Sequence, residues 1–308
     1  MFPHQNESAW EVLAPAKLNL YLEVLGPRAD GFHELETLLV PVRLYDQLRW
    51  TPPAESDPAV AFRLRCQGER AAKSSSDQLI GDENLVTRAV HLLAQRAGIE
   101  PRGCFELYQR IPLQAGMGGG SSDAAAALLL ANAAWQLGYS RSRLAALAAE
   151  LGSDVPFFLG RGAAICRGRG ELVTPLPAIP PLHFVVVKPP VGISTATLFS
   201  KLQATHNSFV DPQDSHARLE TLVGALQRGA LADAGREMMN RLEQVAAKTT
   251  DWIDRLSRQL ASIGGLAQVM TGSGSASFCM MRTARQARQA ARILAGMNLG
   301  KVFAISTC

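Results

Sequence analysis

The feature that most constrains this chain is a glycine-rich loop placed directly before a run of strong helix formers. Residues 112–127 read P-L-Q-A-G-M-G-G-G-S-S-D-A-A-A-A, and three leucines follow. The run from Ala124 to Leu130 predicts a helix, and Ser121, Ser122 or Asp123 can cap its start. Glycines let a ligand approach the backbone closely. With the positive end of a helix dipole behind them, the loop amides form an anion site suited to a phosphate chain.

The loop does not match the familiar phosphate-binding templates. No Lys-Ser or Lys-Thr follows the glycines, and Ser121 stands where a dinucleotide fingerprint needs its third glycine. A flexible connection into a core helix is the alternative. The tight placement between an Ile-Pro segment and a helix favours a nucleotide-phosphate loop.

Length and charge narrow the class of protein. A chain of 308 residues exceeds the usual size of one core, so we expect two domains. The proline-rich segment 175–181 predicts the boundary, which gives domains at 1–178 and 179–308. The net charge of +4 comes without a dense cluster of Lys and Arg. We therefore expect neither a nucleic acid nor a membrane surface as partner.

Cysteine usage and hydropathy predict a cytoplasmic protein. The five cysteines are scattered and form no C-x-x-C pair, which is typical of a reducing compartment. The longest apolar run, 124–131, is much shorter than a membrane span, and the N-terminus lacks the pattern of a signal peptide.

Hydrophobic periodicity predicts alternating helices and strands. A strand is expected where Leu18, Leu20, Leu22 and Val24 alternate with polar residues, and it places Lys17 and Asn19 on one face. That face is either solvated or part of a site. Further helices are predicted at 84–97, 141–151, 217–228, 231–239, 242–263 and 284–295. Further strands are predicted at 60–66, 105–111, 182–187, 266–270, 276–281 and 302–306, with surface loops at 51–57 and 71–77.

Several polar or aromatic residues have an ordinary structural explanation when each is taken alone. Asp154 precedes a Val-Pro pair and can be the N-cap of a short helix. Phe32 and His33 fit half-buried packing beside a turn, and Phe199 fits the core. Residues 271–275, T-G-S-G-S, fit the tip of a hairpin.

Four segments together match one family. They are P-A-K-L-N-L at 15–20, D-G-F-H-E-L-E-T at 30–37, the glycine loop at 111–124 and T-G-S-G-S at 271–275. The chain resembles the GHMP small-molecule kinases over almost its whole length. With G-S-D-V-P-F-F at 152–158, it is similar to the branch that uses ATP to phosphorylate the 2-hydroxyl of a diphosphocytidyl-linked alcohol in the non-mevalonate isoprenoid pathway.

The resemblance implies an α+β fold in two parts. The N-terminal part is a ribosomal-protein-S5-domain-2-like ATP domain, the C-terminal part is ferredoxin-like, and the active site lies between them. The family also implies ATP with Mg²⁺, a small-molecule cytidylated alcohol, and a monomer or weak homodimer. No carboxylate ligand for the metal is apparent in the motifs.

The resemblance assigns roles to individual residues. Asp154 matches the catalytic aspartate that accepts the hydroxyl proton or orients the hydroxyl. Lys17 matches the lysine that holds this aspartate ionised near the transferring phosphate. The implied ATP-binding residues are Asn84, Pro112, Leu113, Gln114, Ala115, Gly116, Met117, Gly118, Gly119, Gly120, Ser121 and Ser122. The implied substrate-binding residues are Asn19, Phe32, His33, Phe199, Gly272 and Ser273.

The family's aromatic pair, which sandwiches the cytosine, corresponds to Phe32 and Phe199, and His33 reads the base edge. Phe32 replaces the more common Tyr, which keeps the stacking surface but lacks a phenolic hydroxyl. Met117 replaces Leu with similar volume.

Three other functions fit parts of the sequence. A GHMP kinase for homoserine, mevalonate or a sugar shares the ATP loop but has no use for a cytosine clamp. A nucleotide-binding module without turnover needs the loop but not Asp154. A nucleic-acid binder is disfavoured by the sparse basic clusters and the 6% aromatic content.

Overall fold

The computed structural model describes residues 1–6, 9–53, 62–68, 84–203 and 209–308. They form two compact units, and neither is one continuous stretch of chain. Unit 1 comprises Met1–Ala16, Leu44–Pro112 and Gly118–Arg161; unit 2 comprises Lys17–Arg43, Leu113–Met117 and Gly162–Cys308. Two 19-residue strands, β2 (Ala9–Pro27) and β3 (His33–Thr51), each contribute residues to both units.

Unit 1 consists of strands covered by helices. Its further strands are β1 (His4–Asn6), β4 (Phe62–Gln67) and β5 (Gly103–Tyr108). Its helices are α1 (Leu85–Ala97), α2 (Gly119–Ala134), α3 (Arg141–Leu151) and α4 (Val155–Leu159). Strand β5 lies between β3, which is antiparallel to it, and β4, which is parallel. Helix α2 packs against α1, α3 and α4, and every residue from Ser122 to Ala131 is buried. The predicted alanine-leucine helix is therefore the centre of this unit's core.

Unit 2 contains the remaining strands and helices of the described residues. Its strands are β6 (Ala164–Gly168), β7 (Leu172–Pro175), β8 (His183–Lys188), β9 (Met239–Asn240), β10 (Ala267–Met270), β11 (Ser277–Met281) and β12 (Lys301–Ser306). Its helices are α5 (Thr195–Gln203), α6 (Pro212–Gln227), α7 (Leu231–Glu237), α8 (Glu243–Ala247), α9 (Trp252–Ser262) and α10 (Ala284–Ala295).

A four-stranded antiparallel sheet in the order β10-β11-β8-β12 organises this unit. Val185, Val187, Leu256 and Leu294 form a core between the sheet and helices α9 and α10. Cys279 lies in the same core, and burial raises the pKa of its thiol to about 11. This thiol is therefore packing material rather than a nucleophile.

The strongest periodicities are confirmed. Helices α3 and α10 have the predicted bounds, and the α+β class is confirmed. The predicted loop residues 54–57 and 71–77, and the first two residues of the strand predicted at 60–66, lie outside the described part of the chain. The predicted domain boundary at 178 stays a prediction, while unit 2 takes residues 17–43 and 113–117 from the N-terminal half.

Two predicted elements are wrong in extent. The helix predicted at 242–263 is two helices, α8 and α9, because the chain turns at 248–251, where Thr249 and Thr250 have low helix propensity. Strand β2 extends well beyond the apolar alternation that predicted it, because polar residues inside it are also buried.

None of the helices in the described ranges is long and apolar enough to cross a membrane.

Candidate active site

A buried polar cluster surrounds Lys17 in unit 2. Lys17 is 3% exposed and Asn19 is 2% exposed, so the alternative of a solvated sheet face is wrong. The Lys17 Nζ donates to Asn19 Oδ1 at 2.6 Å, and Asn19 Nδ2 donates to Thr37 Oγ1 at 2.9 Å. Thr37 in turn donates to the carbonyl of Tyr21 at 2.5 Å. A charged amine is held in the interior only where such hydrogen bonds replace water, so the cluster fixes one position for the ammonium.

The T-G-S-G-S segment joins this cluster. It is the tip of the hairpin formed by β10 and β11, as predicted. Thr271 Oγ1 accepts from the Asn19 amide at 3.1 Å and lies 3.2 Å from Asn19 Oδ1. Further along the loop, the Ser275 amide donates to the Gln114 carbonyl at 3.3 Å. The hairpin tip therefore lies against the Leu113–Met117 part of the glycine loop.

Two glycines are required by this close approach. A Cβ on Gly116 would lie 2.0 Å from the Thr271 carbonyl oxygen. A Cβ on Gly272, whose φ is +55°, would lie 2.7 Å from the Gly116 carbonyl oxygen and 3.0 Å from Lys17 Nζ. The glycine loop, the hairpin tip and the Lys17 ammonium therefore lie within contact distance of one another. A residue larger than glycine does not fit at either glycine position.

The remainder of the glycine loop begins helix α2 in unit 1. The N-cap is Gly118 with φ of +71°, a residue that has no side chain with which to cap the helix. The predicted capping by Ser121, Ser122 or Asp123 is wrong, because the helix starts earlier and all three lie inside it. The Ser122 hydroxyl is buried and has no hydrogen-bond partner among the described residues. The absence of a side-chain cap here leaves the first-turn amides open to an anion.

Two further predicted residues lie at helix starts in unit 1. Asn84 is the N-cap of α1, and its Oδ1 accepts from the Val86 amide at 2.9 Å. Asp154 is the N-cap residue of α4, as predicted, but its side chain makes no capping hydrogen bond. The residue is partly exposed.

His33 lies close to two aromatic rings in unit 2. Its ring centroid lies 5.0 Å from that of Phe199 and 6.4 Å from that of Phe209. Phe199 is partly buried and packs on a core cluster that includes Leu198. Phe32 is 48% exposed, and the Arg169 guanidinium lies 4.7 Å from its ring centroid. His33 and Phe199 are thus brought together, while Phe32 presents an open face beside an arginine.

His33 is buried, and one nitrogen of its ring lacks a partner among the described residues. The residue is 8% exposed, yet its Nε2 has no hydrogen-bond partner in the described part of the structure. Burial lowers the pKa of its imidazole, so the ring is neutral at physiological pH. A buried unpaired ring nitrogen is costly, and a base edge with a complementary group would satisfy it.

Sequence reasoning missed two contributors to this region. Asn240 Nδ2 donates to the carbonyls of Met270 at 2.7 Å and Gly272 at 2.8 Å, and so holds the hairpin tip. Its position was predicted to follow a helix, and nothing in the local pattern marks it. Phe209 has no neighbouring motif either. Thr37, by contrast, ends the D-G-F-H-E-L-E-T segment, which was a usable indication.

Comparison with known proteins defines the class. The family model described as GHMP kinases N terminal domain matches residues 84–162, and that described as GHMP kinases C terminal matches residues 222–298. A homoserine kinase from Cytophaga hutchinsonii superposes with a TM-score of 0.76 at 18% identity, covering 100% of this chain and 97% of its own, which shows a shared fold. The fold and both models are those of the GHMP small-molecule kinases, for which ATP is the cosubstrate.

Closer relatives narrow the family. The 4-diphosphocytidyl-2-C-methyl-D-erythritol kinase of Pelotomaculum thermopropionicum is 39% identical over 279 residues, which cover 91% of each chain. A crystal structure of 4-(cytidine 5'-diphospho)-2C-methyl-D-erythritol kinase superposes with a TM-score of 0.77 at 36% identity, covering 96% of this chain and 98% of its own. The chain belongs to the 4-diphosphocytidyl-2-C-methyl-D-erythritol kinase family of GHMP kinases.

Proposed function

We propose that this protein transfers the γ-phosphoryl group of ATP to the 2-hydroxyl of 4-diphosphocytidyl-2-C-methyl-D-erythritol, a step of the non-mevalonate isoprenoid pathway. The observation that carries the proposal is the contact between the buried, neutral His33 and Phe199, whose ring centroids lie 5.0 Å apart, together with a His33 Nε2 that has no hydrogen-bond partner among the described residues. A planar base fits such a pair, because one residue offers a ring face and the other a hydrogen-bonding edge.

ATP binds through the glycine loop in this proposal. Residues 112–122 supply backbone amides to the phosphates, and the uncapped start of α2 adds the positive end of the helix dipole. The Ser122 hydroxyl, which has no partner among the described side chains, is a further oxygen on this loop. Asn84 is assigned to the adenosine end of the nucleotide.

Mg²⁺ accompanies ATP and neutralises phosphate charge, held mainly by phosphate oxygens and water. In the described ranges, no three His, Cys, Asp or Glu side chains are grouped to hold a metal ion. Serine hydroxyls on the glycine loop have the oxygen chemistry that a hydrated Mg²⁺ accepts.

The residues of the reaction act on charge and orientation. Asp154 accepts a hydrogen bond from the substrate hydroxyl and takes its proton as the oxygen attacks the γ-phosphorus. The Lys17 ammonium, fixed by Asn19 at 2.6 Å, balances negative charge on the transferring group. Gly272 and Ser273 supply backbone and hydroxyl groups to the diphosphate of the cytidylated alcohol.

The cytosine end uses the aromatic cluster. Phe199 supports one face of the base, the exposed Phe32 ring covers the other, and His33 reads the edge. The cytoplasmic location and the monomer or weak homodimer expected from the sequence belong to the same proposal.

Activity assays test the proposal directly. Purified protein with ATP and Mg²⁺ is offered the diphosphocytidyl alcohol, homoserine or mevalonate, and ADP release is measured for wild type and Asp154→Asn. We expect turnover of the cytidylated alcohol alone, and a loss in the variant of about 10²–10⁴-fold, the usual contribution of acid-base groups.

Other outcomes would point elsewhere. Turnover of homoserine or mevalonate would agree with a GHMP kinase activity but would contradict the proposed cytosine clamp. ATP binding without turnover of any alcohol would favour a nucleotide-binding module.

A further inference from the structure

Two carboxyl groups outside the proposed site are buried together at the ends of the glycine loop. Asp46 on β3 is 1% exposed and Asp123 on α2 is 2% exposed, and both belong to unit 1. Their side chains are hydrogen-bonded to each other. The motifs that matched the family gave Asp46 no role, and Asp123 was expected only as a possible cap.

Asp46 holds the chain where it enters the loop. The ladder between β3 and β5 ends at the pair Gln47 and Tyr108. Beyond it, Asp46 Oδ1 accepts from the Arg110 amide at 2.5 Å and from the Ile111 amide at 2.8 Å. The carboxyl therefore takes over from the strand at the last two residues before Pro112.

The second oxygen of Asp46 faces the other end of the loop. A Cβ on Gly119 would lie 3.6 Å from Asp46 Oδ2, so this oxygen is close to the first residue of α2. Asp123 lies one turn further along the same helix and bonds to Asp46. One side chain thus connects the exit of β5 with the start of α2.

A hydrogen bond between two carboxyl groups needs a proton. Two ionised carboxylates in contact repel each other, whereas a shared proton makes one group the donor and the other the acceptor. Burial raises the pKa of Asp46, opposed by its bonds from the Ile111 and Arg110 amides, the bond with Asp123 and the nearby Arg110 charge. The surroundings therefore favour keeping one proton on the pair.

We propose that Asp46 and Asp123 form a proton-sharing carboxyl pair that holds both ends of the glycine loop and so positions the loop amides for the phosphates of ATP. Both are positioning residues, because they act through the backbone of residues 110, 111 and 119. The inference rests on the proposed function, since it concerns the ATP loop.

Nucleotide binding separates positioning from general stability. Titration calorimetry would measure the Kd of adenylyl imidodiphosphate with Mg²⁺, and separately of CDP, for wild type, Asp123→Ala and Asp123→Asn. We expect Asp123→Ala to weaken the ATP analogue about tenfold, because a buried carboxyl loses its partner, and to leave CDP unchanged. Asp123→Asn should stay within about twofold of wild type, because its amide donates to Asp46 without a titratable proton.

Asp233→Ala is the matched control, since this aspartate is 60% exposed in a surface pair with Arg236. It should change neither Kd. Equal losses for the two nucleotides, no loss in Asp123→Ala, or a loss in Asp123→Asn as large as in Asp123→Ala would each overturn the inference. Wild type that binds CDP but not the ATP analogue would overturn the proposed function, and this inference with it.

Infrared spectroscopy tests the shared proton without a disruptive variant. Wild type at neutral pH should show a protonated-carboxyl band that is absent from Asp123→Asn and from Asp46→Asn. If Asp123→Ala does not fold, this measurement still decides, because a wild-type spectrum without the band would overturn the proposal.

Discussion

The two ends of the proposed substrate site in unit 2 differ in how completely their polar atoms are paired. Around Lys17, the Asn19 amide group and the hydroxyls of Thr37 and Thr271 form a continuous hydrogen-bonded network. Around His33, the aromatic rings pack closely but Nε2 has no partner among the described residues. Both regions are buried, so exposure to water does not explain the difference.

This difference indicates which part of the proposed site has its hydrogen bonds formed before a substrate binds. A buried ammonium needs hydrogen-bond partners from the protein itself, because burying an unpaired charge is costly. Leaving a buried imidazole nitrogen unpaired costs about 1–3 kcal/mol, and a hydrogen bond with a bound base would offset that cost. The lysine end is therefore organised in advance, whereas in the proposed function the base end is completed by its ligand.

The largest expected effect on activity comes from removing the charge at the lysine end. Lys17→Met keeps the aliphatic stem but removes the ammonium, so we expect kcat to fall about 10²–10³-fold, as when one transition-state donor is lost. The KM for the cytidylated alcohol should change little, because the base contacts remain. Steady-state kinetics measures both.

Lys188→Met is the matched control for Lys17→Met. Lys188 is also a buried lysine of unit 2, and its Nζ donates to the carbonyls of Pro189 at 2.7 Å and Val191 at 2.8 Å. An equal fall in kcat for both variants would show that loss of any buried lysine charge is enough, and would remove the special role of Lys17.

The second effect concerns the base end. Phe199→Ala should raise the KM for the cytidylated alcohol about tenfold, the usual magnitude for losing one base-stacking ring, and leave the KM for ATP unchanged. Phe209→Ala is the comparison, since Phe209 packs on the same core cluster. Equal increases in the two KM values for Phe199→Ala would contradict the clamp.

The third effect is a pH dependence at His33. Burial lowers the pKa of this imidazole from its ordinary value of 6.5, so the ring is neutral at and above that pH. We expect the KM for the cytidylated alcohol to be constant above pH 6.5 and to rise severalfold only at lower pH, as Nε2 becomes protonated. The free energy of unfolding should also fall as the pH is lowered through this range, because the unfolded chain takes up this proton at a higher pH than the folded chain.

The variant His33→Gln provides the check on that profile. It should show a higher KM that no longer varies with pH in this window. A KM that rises on going to alkaline pH in wild type would reverse the assigned sign and exclude a neutral His33 as the base reader.

The smallest expected effect on KM tests whether Arg169 supports the Phe32 ring. Arg169→Ala removes the guanidinium that lies 4.7 Å from the Phe32 ring centroid. We expect the KM for the cytidylated alcohol to rise about two- to threefold, the range of an exposed cation-π contact. No change, together with a large effect of Phe32→Ala, would show that the ring needs no support from Arg169.

Local patterns predicted the regular parts of the fold well. Helix α10 was predictable because Thr283 caps it and its buried residues recur at helical spacing. The start of α2 was not, because a positive φ at Gly118 takes the place of a side-chain cap, and composition does not distinguish the two. The full extent of β2 was hidden because Lys17 and Asn19 are polar residues in a buried stretch.

The site residues divide in the same way. Lys17, Asn19 and His33 could be found because each lies in a short motif. Asn240 could not, since its hydrogen bonds to Met270 and Gly272 join segments 30 residues or more apart. Such contacts depend on tertiary structure, and one sequence without its fold contains no local trace of them.

The part of β3 that lies in unit 2 contacts Thr307 and Cys308, which are far from it in sequence. Val42 forms a bridge with Thr307, and the Cys308 amide donates to the Pro41 carbonyl at 3.0 Å. During synthesis, Pro41 and Val42 therefore leave the ribosome long before Thr307 and Cys308, so these native contacts form late. Such sequence-distant pairing gives unit 2 a high contact order and slows its folding relative to locally connected helices.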